Sequence, residues 1–492
     1  MDRTCSLWWR DIDLPEREPL NGDATADVAV LGAGMAGLLI AHRLAQQGLS
    51  VVVLEASRVG SGQTGKTTAK ITSQHGPRYD AMIKKLGVEK AEQYARANQK
   101  AIAEYAALIQ REQIDCDFEW TSAFLYSSVA GEPMQAEAEA AKRLGIDVTF
   151  TTETELPVPV AGAVRFDAQA QFHPLKFLCA LSRKLTIFEN TRVLQVAGNE
   201  VQTERGSVQA QHIVFATHYP FINAPGWYFL RMHQERSYVL ALAGTQGVNG
   251  MYLGVDPDGL SFRATEGLLL LGGGSHRTGE CSAGGQYEQL HQCAASLYPD
   301  CREVARWSAQ DCMPLDGVPY IGRFSAATPN WYVATGFGKW GMSSAMVAAM
   351  LIADSITGCV PDWAEVFSPS RFQVSASAKN LATEAAQAVK GLSRSLLALP
   401  QETLDALPAG HGGIVTVDGR KLGAFKDERG KVTLVEPRCP HLGCQVEWNP
   451  NERSWDCPCH GSRFAYDGML IDNPAQQSLR RVEEQRPITQ RE

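Results

Sequence analysis

Near the start of the chain, the pattern of apolar and polar residues predicts a strand, a turn, a helix and a second strand. Residues 27–31 are an apolar run of strand length, and residues 38–47 have helical spacing that ends at Gly48. A second apolar run follows at 50–54. The glycine-rich stretch 32–37 between the first strand and the helix predicts a tight turn.

Later segments extend this pattern into a mixed α and β chain. Residues 89–112 have a helical pattern, and residues 267–271 are a short strand-like run. Residues 343–356 are apolar and contain neither glycine nor proline, so they predict a helix that stops before Gly358.

The pattern changes again near residue 371. Residues 371–399 carry apolar positions at spacings of three and four with a charged opposite face, and Pro400 closes the segment. We interpret it as a helix connecting two domains, although a last helix of the first domain fits equally well. Beyond it, three strand-like runs and the hairpin turn Asp418-Gly419 predict a small β domain.

Composition narrows the class of protein. The 492 residues suggest more than one domain, and the net charge of −8 argues against a nucleic-acid-binding surface. Acidic residues occur early and no apolar run reaches the length of a membrane span, so we expect no signal peptide, no transmembrane segment and a cytoplasmic location.

Cysteines are unevenly distributed, which points to a metal site. Of the 12 cysteines, four lie between Cys439 and Cys459 and the others are scattered from Cys5 to Cys359. The four belong to two boxes, CPHLGC at 439–444 and CPCHGS at 457–462. Zinc is one interpretation. The pairs Cys-x-His and Cys-x-x-His instead favour two thiolates on one iron and two imidazoles on another.

Residues 411–485 resemble Rieske domains through this two-box signature. The resemblance implies that Cys439 and Cys457 bind one iron of a [2Fe–2S] cluster, and that His441 and His460 bind the other.

Four further positions are compared with the respiratory and photosynthetic branch of Rieske proteins. Cys444 and Cys459 stand where that branch has a disulfide between the two loops, and Ser462 stands where it donates a hydrogen bond to a bridging sulfide. Phe464 replaces a tyrosine that often bonds a ligand cysteine there. Loss of that bond should lower the reduction potential below the top of the Rieske range of about −150 to +300 mV.

The glycine-rich turn near the start has the spacing of a dinucleotide-binding motif. Gly32 permits the tight turn, Gly34 lets the backbone approach a pyrophosphate, and Gly37 lets helix and strand pack closely. Glu55 ends the second strand, where a carboxylate accepts hydrogen bonds from ribose hydroxyls. The motif alone does not distinguish FAD from NAD.

Residues 25–360 resemble, in patches, the D-amino-acid oxidase and glycine oxidase family of FAD enzymes. The matching segments are 60–70, 189–193, 213–218, 316–322 and 335–342. The resemblance implies a Rossmann-like, glutathione-reductase-type α/β FAD-binding domain with an α+β substrate domain, followed by the small all-β Rieske domain. Together with the motif, it assigns the cofactor to Gly32, Ala33, Gly34, Met35, Ala36, Gly37, Glu55, Ala56, Gly62, Thr64, Thr67, Thr68, Ala69, Val193, Ala216, Thr217, Gly322, Gly336, Gly338, Gly341 and Met342.

The expected organisation is an oxidoreductase domain at 1–370 with interleaved FAD and substrate subdomains, a connecting helix at 371–400 and a Rieske domain at 401–492.

Some relatives attach FAD to a cysteine, for which Cys312 is a candidate. Its spacing from Asp316 is short for that pattern, so we expect non-covalent FAD. The sequence gives little indication of which residues contact the substrate. His75 and Lys339 are candidates for lining the pocket because they lie beside segments expected to reach the flavin, and no catalytic residue is assigned. Other candidates there include His276 and Arg277.

Three functional hypotheses follow. The first is a dehydrogenase in which a small amine, amino acid or related donor reduces FAD, and electrons pass through the cluster to an external protein or quinone-like acceptor. The second is an electron-transfer protein reduced by a partner reductase. The third is an oxidase that uses O₂ and has a structural or regulatory cluster. A Rieske oxygenase would need a mononuclear iron held by two histidines and a carboxylate in a separate domain. Nothing after His460 could build such a site, and the large domain is assigned to flavin, so no further iron is expected.

Overall fold

The computed structural model describes residues 5–10, 12–280, 282–371 and 403–482. They form two compact units. The first contains the chain as far as Tyr228, then Arg236–Ser275, and then residues 286–371. The second contains Phe229–Glu235, His276–Gly285 and residues 403–482. The connecting helix expected at 371–400 lies outside the described residues except for its first position, and the expected domain boundaries stay predictions.

The part of the chain described before residue 372 contains both strands and helices. In chain order the strands are β1 (Ala24–Leu31), β2 (Val51–Leu54), β3 (Lys70–Ile71), β4 (Glu119–Ser127), β5 (Val148–Thr151), β6 (Gly162–Gln171), β7 (Thr186–Phe188), β8 (Val193–Ala197), β9 (Glu200–Thr203), β10 (Ser207–Phe215), β11 (Met232–Ala243), β12 (Gly250–Gly254), β13 (Ser261–Thr265), β14 (Leu268–Arg277), β15 (Arg302–Pro314), β16 (Tyr320–Ser325) and β17 (Thr328–Thr335). The helices are α1 (Met35–Gln46), α2 (Tyr79–Leu86), α3 (Val88–Glu112), α4 (Glu132–Arg143), α5 (Pro174–Ser182), α6 (Gln286–Leu297), α7 (Gly341–Ile356) and α8 (Ala364–Phe367).

An eight-stranded sheet carries the predicted turn. Its main path runs β16-β17-β10-β1-β2-β7, with β8 and β9 joined through β10. The pairs within β17-β10-β1-β2-β7 are parallel, and their runs of buried valine, isoleucine and leucine suit a sheet covered on both faces. The predicted strands and the helix α7 are confirmed. Helix α1 begins at Met35, three residues earlier than predicted, because Gly37 lies inside the helix and packs on the turn.

A nine-stranded sheet makes up the other layer. Its path runs β15-β11-β14-β13-β12-β4-β6-β3, and β5 pairs with β6. This mixed sheet with flanking helices is the α+β part expected beside the dinucleotide-binding layer, and the predicted fold class is confirmed.

The residues described after 402 form two four-stranded antiparallel sheets, β18-β19-β20-β25 and β21-β22-β23-β24. Asp418 and Gly419 both have positive φ, +50° and +71°, and join the first two strands as the predicted hairpin. The strands are β18 (Gly412–Val417), β19 (Arg420–Lys426), β20 (Val432–Val435), β21 (Glu447–Asn449), β22 (Ser454–Asp456), β23 (Arg463–Ala465), β24 (Leu470–Asp472) and β25 (Arg481–Val482).

A buried ion-pair network lies at the end of β22. Arg463 Nε is 3.1 Å from Asp456 Oδ1, and its terminal nitrogens reach Asp472 at 3.1 Å and Glu452 at 3.4 Å. Asp456 is fully buried and also accepts from Asn449 Nδ2 at 2.9 Å. Because Asp456 immediately precedes Cys457, this network fixes the strand from which the second cysteine box leaves.

Replacing Arg463 tests the network. Arg463→Met leaves the Asp456 carboxylate buried without its cation, so it should lower the free energy of unfolding by about 3–5 kcal/mol. Chemical denaturation followed by circular dichroism measures the change. The matched control is Arg453→Met, because Arg453 pairs with Glu428 at 3.5 Å on the exposed surface, where a pair is worth about 0–1 kcal/mol. Equal losses in the two variants would contradict this account.

Across the described residues, none of the helices combines the length and the apolar character needed to cross a membrane.

Candidate functional site

Parallel register gathers several predicted cofactor residues at one edge of the eight-stranded sheet. Leu31, the last residue of β1, lies opposite both Leu54 of β2 and Phe215 of β10. Phe215 in turn lies opposite Val333 of β17. The turns that follow these strands therefore emerge together at their carboxyl ends, where ligands bind in open α/β sheets.

Close backbone packing at this edge explains two glycines. A Cβ built on Gly32, which has φ +103°, would lie 2.6 Å from the Ala216 carbonyl oxygen. A Cβ on Gly37 would lie 1.9 Å from the Gly32 carbonyl oxygen. Neither position has room for a side chain, so the turn is drawn tightly onto both the neighbouring strand and its own helix.

The start of α1 is suited to a pyrophosphate. The Met35 N–H donates to Thr64 Oγ1 at 2.9 Å, and a Cβ on Gly34 would meet only that oxygen, at 3.2 Å. Backbone N–H groups at a helix N-terminus favour phosphate. Glu55 is held by N–H donors from Ala33 at 2.8 Å and Ser57 at 2.9 Å, and burial raises the pKa of its carboxyl group. The residues fit FAD, whose ribose and pyrophosphate these groups would hold.

The other predicted cofactor residues lie in the first unit, on segments adjoining this edge or leading from it. Their individual contacts with FAD stay predictions. Ala36 is in α1, Ala56 follows β2, Gly62, Thr67, Thr68 and Ala69 precede β3, Val193 opens β8, Ala216 and Thr217 follow β10, Gly322 is in β16, Gly336 and Gly338 follow β17, and Gly341 and Met342 open α7.

Glu189 was not among the predicted residues although it organises this edge. It follows β7 and is fully buried, and its carboxylate accepts from the Val59 N–H at 2.7 Å. It also pairs with Arg58 Nε at 2.9 Å. Its contacts join segments that are more than a hundred residues apart. The segment 189–193 was matched to the oxidase family, but no local pattern indicated this role for the carboxylate.

The substrate-side candidates lie in different surroundings. His75 is buried: Nδ1 is 2.6 Å from the Tyr94 hydroxyl, Nε2 is 2.9 Å from Ser343 Oγ, and its ring stacks on Trp340 at 4.8 Å. Burial holds the pKa of His75 well below its usual value, so the ring is neutral. Lys339 is exposed and donates to Ser275 Oγ at 2.9 Å. Their roles as pocket residues stay predictions.

The two cysteine boxes fold into loops of the same design. In the first, the Cys439 N–H donates to the Cys444 carbonyl at 2.8 Å, and the Gly443 N–H to the Cys439 carbonyl at 2.9 Å. In the second, the Cys457 N–H donates to the Ser462 carbonyl at 2.8 Å, and the Gly461 N–H to the Cys457 carbonyl at 2.9 Å. The glycine in each loop has positive φ, +83° and +78°. Each loop is thereby closed at the same two points.

The four predicted ligands come together from these loops. The Cys439 and Cys457 thiols share a hydrogen bond, which lowers the pKa of Cys439 and raises that of Cys457 well above its usual value. The His441 and His460 rings lie 4.8 Å apart between centroids. Burial lowers the pKa of His441 to about 4, so it is a neutral imidazole. Two buried sulfurs beside two imidazoles are the donor set of a Rieske [2Fe–2S] cluster, and the residues fit it.

Neighbours of the ligands agree with the Rieske resemblance. Cys444 and Cys459 form a disulfide between the loops. Their sulfurs and that of Cys457 all lie within 4.8 Å of one another, but only Cys457 can supply a thiolate. The Ser462 hydroxyl forms a hydrogen bond with the Cys439 thiol and accepts a hydrogen bond from the Ala475 N–H at 3.0 Å. Phe464 is fully buried in β23.

Comparisons with known proteins agree with both sites. Residues 27–355 match the model of the FAD dependent oxidoreductase family (DAO), and residues 400–483 match that of the Rieske [2Fe-2S] domain. The chain belongs to the FAD-dependent oxidoreductase family and ends in a Rieske domain. Its cofactors are therefore FAD and a [2Fe–2S] cluster.

Similar proteins match either nearly the whole chain or about 70% of it. YhfW of Bacillus subtilis, named as a Rieske 2Fe-2S iron-sulfur protein, is 37% identical over 97% of each chain. Gamma-glutamylputrescine oxidoreductase of Escherichia coli is 23% identical over 69% of this chain and 86% of its own. The crystal structure of glycine oxidase from Geobacillus kaustophilus matches with a TM-score of 0.60 at 20% identity, covering 71% of this chain and all of that one, and shares the fold.

The glycine turn provides a test of the flavin site. Gly37→Ala puts a methyl group where the Gly32 carbonyl oxygen already lies, so α1 must move away from the turn and FAD affinity should fall at least tenfold. Flavin absorbance retained after desalting measures the loss. Gly247→Ala is the control, because a Cβ there meets no atom within 4 Å. Full flavin retention in Gly37→Ala would contradict the placement.

Phe464 provides a test of the cluster. Phe464→Tyr should restore a hydrogen bond to a ligand sulfur, worth about 1 kcal/mol, and so raise the midpoint potential by roughly 40 mV. A redox titration monitored by electron paramagnetic resonance (EPR) measures it. Phe425→Tyr adds a hydroxyl elsewhere in the same domain and should leave the potential unchanged. A potential in Phe464→Tyr equal to that of the unsubstituted protein would contradict the inferred role of position 464.

Proposed function

We propose that the protein is a flavin-dependent dehydrogenase acting on a small amine, an amino acid or a related donor with a CH–NH or CH–NH₂ group. The electrons leave singly by way of the Rieske domain to an external acceptor, either a protein or a quinone-like molecule. The observation that carries the proposal is the presence on one chain of an FAD oxidoreductase domain and a Rieske [2Fe–2S] domain.

Electron counting supports this pairing. When bound, FAD accepts two electrons at once, whereas a Rieske cluster carries one. Oxidising a CH–NH group to an imine releases two electrons and two protons. A one-electron carrier on the same chain is useful where the acceptor takes electrons singly, whereas a direct two-electron transfer to O₂ would not need it.

The substrate class rests on the relatives. One relative is named for gamma-glutamylputrescine and a protein of like fold for glycine, and both molecules carry a primary amine.

Two further features belong to the proposal. FAD is held non-covalently: the Cys312 thiol is buried and donates to the His218 carbonyl at 3.4 Å. The proposed compartment is the cytoplasm, as expected from the sequence.

An anaerobic donor panel tests the function. The holoprotein is mixed with amines and amino acids in the absence of O₂, flavin absorbance is followed, and the cluster is followed by EPR. A true donor should bleach the flavin first and then give the signal of the reduced cluster.

The control is Cys439→Ser, which removes an iron ligand but leaves the flavin unit intact. It should still bleach with the donor, yet lose turnover with a one-electron acceptor. Reduction by a reductase but by no small donor would replace this proposal with an electron-transfer protein. Stoichiometric peroxide without an added acceptor would replace it with an oxidase.

A further inference from the structure

Two segments from the middle of the chain fold with the cluster loops. Phe229–Glu235 and His276–Gly285 lie within residues 27–355, which match the FAD oxidoreductase model, yet both belong to the second compact unit. The Thr278 N–H donates to the Gln234 carbonyl at 3.0 Å and joins them. We call this pair the cluster dock.

Side chains of the dock bond the backbone of the second ligand loop. Gln234 Nε2 donates to the carbonyl of His460 at 2.7 Å and to that of Asn473 at 3.2 Å. Arg277 Nε donates to the Pro458 carbonyl at 3.2 Å, and Arg277 Nη2 to the Cys459 carbonyl at 3.3 Å. Three consecutive carbonyls, from Pro458 to His460, are thus held from outside the Rieske sequence.

Glycines bring the two backbones into direct contact. A Cβ on Gly279 would lie 2.6 Å from the Pro458 nitrogen, and a Cβ on Gly461 would lie 2.6 Å from Gln234 Cβ. The loop backbone therefore lies directly against the backbone of the dock at Gly279 and against the Gln234 side chain at Gly461.

The dock also covers the histidine ligands. The Phe229 ring meets the His460 ring edge-on with centroids 5.7 Å apart, and the His441 ring with centroids 6.3 Å apart. Aromatic pairs in this edge-to-face arrangement are attractive.

We propose that the dock positions the cluster and raises its potential, with Arg277 and Gln234 as positioning residues and Phe229 as a cover for the histidine edge. Reduction adds one negative charge to the cluster. A guanidinium that is bonded to carbonyls beside two ligands stabilises that charge more than it stabilises the oxidised form. The inference requires the cluster but neither the donor nor the acceptor proposed above, so a failed donor panel leaves it standing.

Redox titration of the full-length holoprotein by EPR tests the charge. In Arg277→Gln the ratio of reduced to oxidised cluster at a fixed ambient potential should fall about tenfold, which is about 59 mV for one electron. Arg277→Lys keeps the charge and should retain most of the potential. Arg480→Gln is the control, because it removes an exposed charge of the same sign. A fall in Arg277→Gln no larger than that in Arg480→Gln would overturn the electrostatic role.

Hydrogen exchange tests the positioning in the same preparations. In Gln234→Ala and Phe229→Ala the peptide containing 457–462 should exchange at least threefold faster, with flavin absorbance unchanged. Loss of the cluster from either variant with retained flavin would also support the positioning role, because the ligand loop is then no longer held. Unchanged exchange together with a retained cluster in both variants would overturn the dock.

Discussion

Parallel register along β1 is the constraint on which the flavin side of the molecule depends. Because Leu31 lies opposite both Leu54 and Phe215, the glycine turn, Glu55 and Ala216 emerge at one edge. A slip of one residue would reverse the side chains of the buried strand and move the carboxylate away from the Ala33 N–H. The close contacts of Gly32 and Gly37 then fix the distance between α1 and the neighbouring strands.

The cluster side depends on a different device, a duplicated loop. Each box closes a six-residue turn with the same pair of backbone hydrogen bonds, but the residues placed on that frame differ. His441 occupies the third position of its loop and His460 the fourth. The sixth position is Cys444 in one loop and Ser462 in the other. The same backbone turn thus places the iron ligands, the disulfide cysteines and the serine hydroxyl at different positions in the two loops. The disulfide holds the two loops together.

Local signals predicted those parts of the structure whose chemistry is contiguous in sequence. The turn at 32–37, the hairpin at Asp418-Gly419 and the two boxes each lie within a few residues, so spacing alone indicated them. Glu189 and the Asp456–Arg463 network could not be predicted in this way. Their side chains are buried charges whose partners are determined by tertiary packing, and any surface glutamate or arginine has the same local pattern.

The contact of Arg277 with the ligand loop could not be predicted from the sequence, because it depends on tertiary packing. In the sequence Arg277 was one of several substrate-side candidates, yet its guanidinium donates hydrogen bonds to the backbone of the ligand loop. Phe464, by contrast, is a departure visible within the Rieske signature. The two act on the cluster in opposite directions, since a missing hydrogen bond to sulfur lowers the potential and a nearby cation raises it. With these two proposed roles, the cluster potential depends on side chains almost two hundred residues apart, one of which lies outside the Rieske sequence.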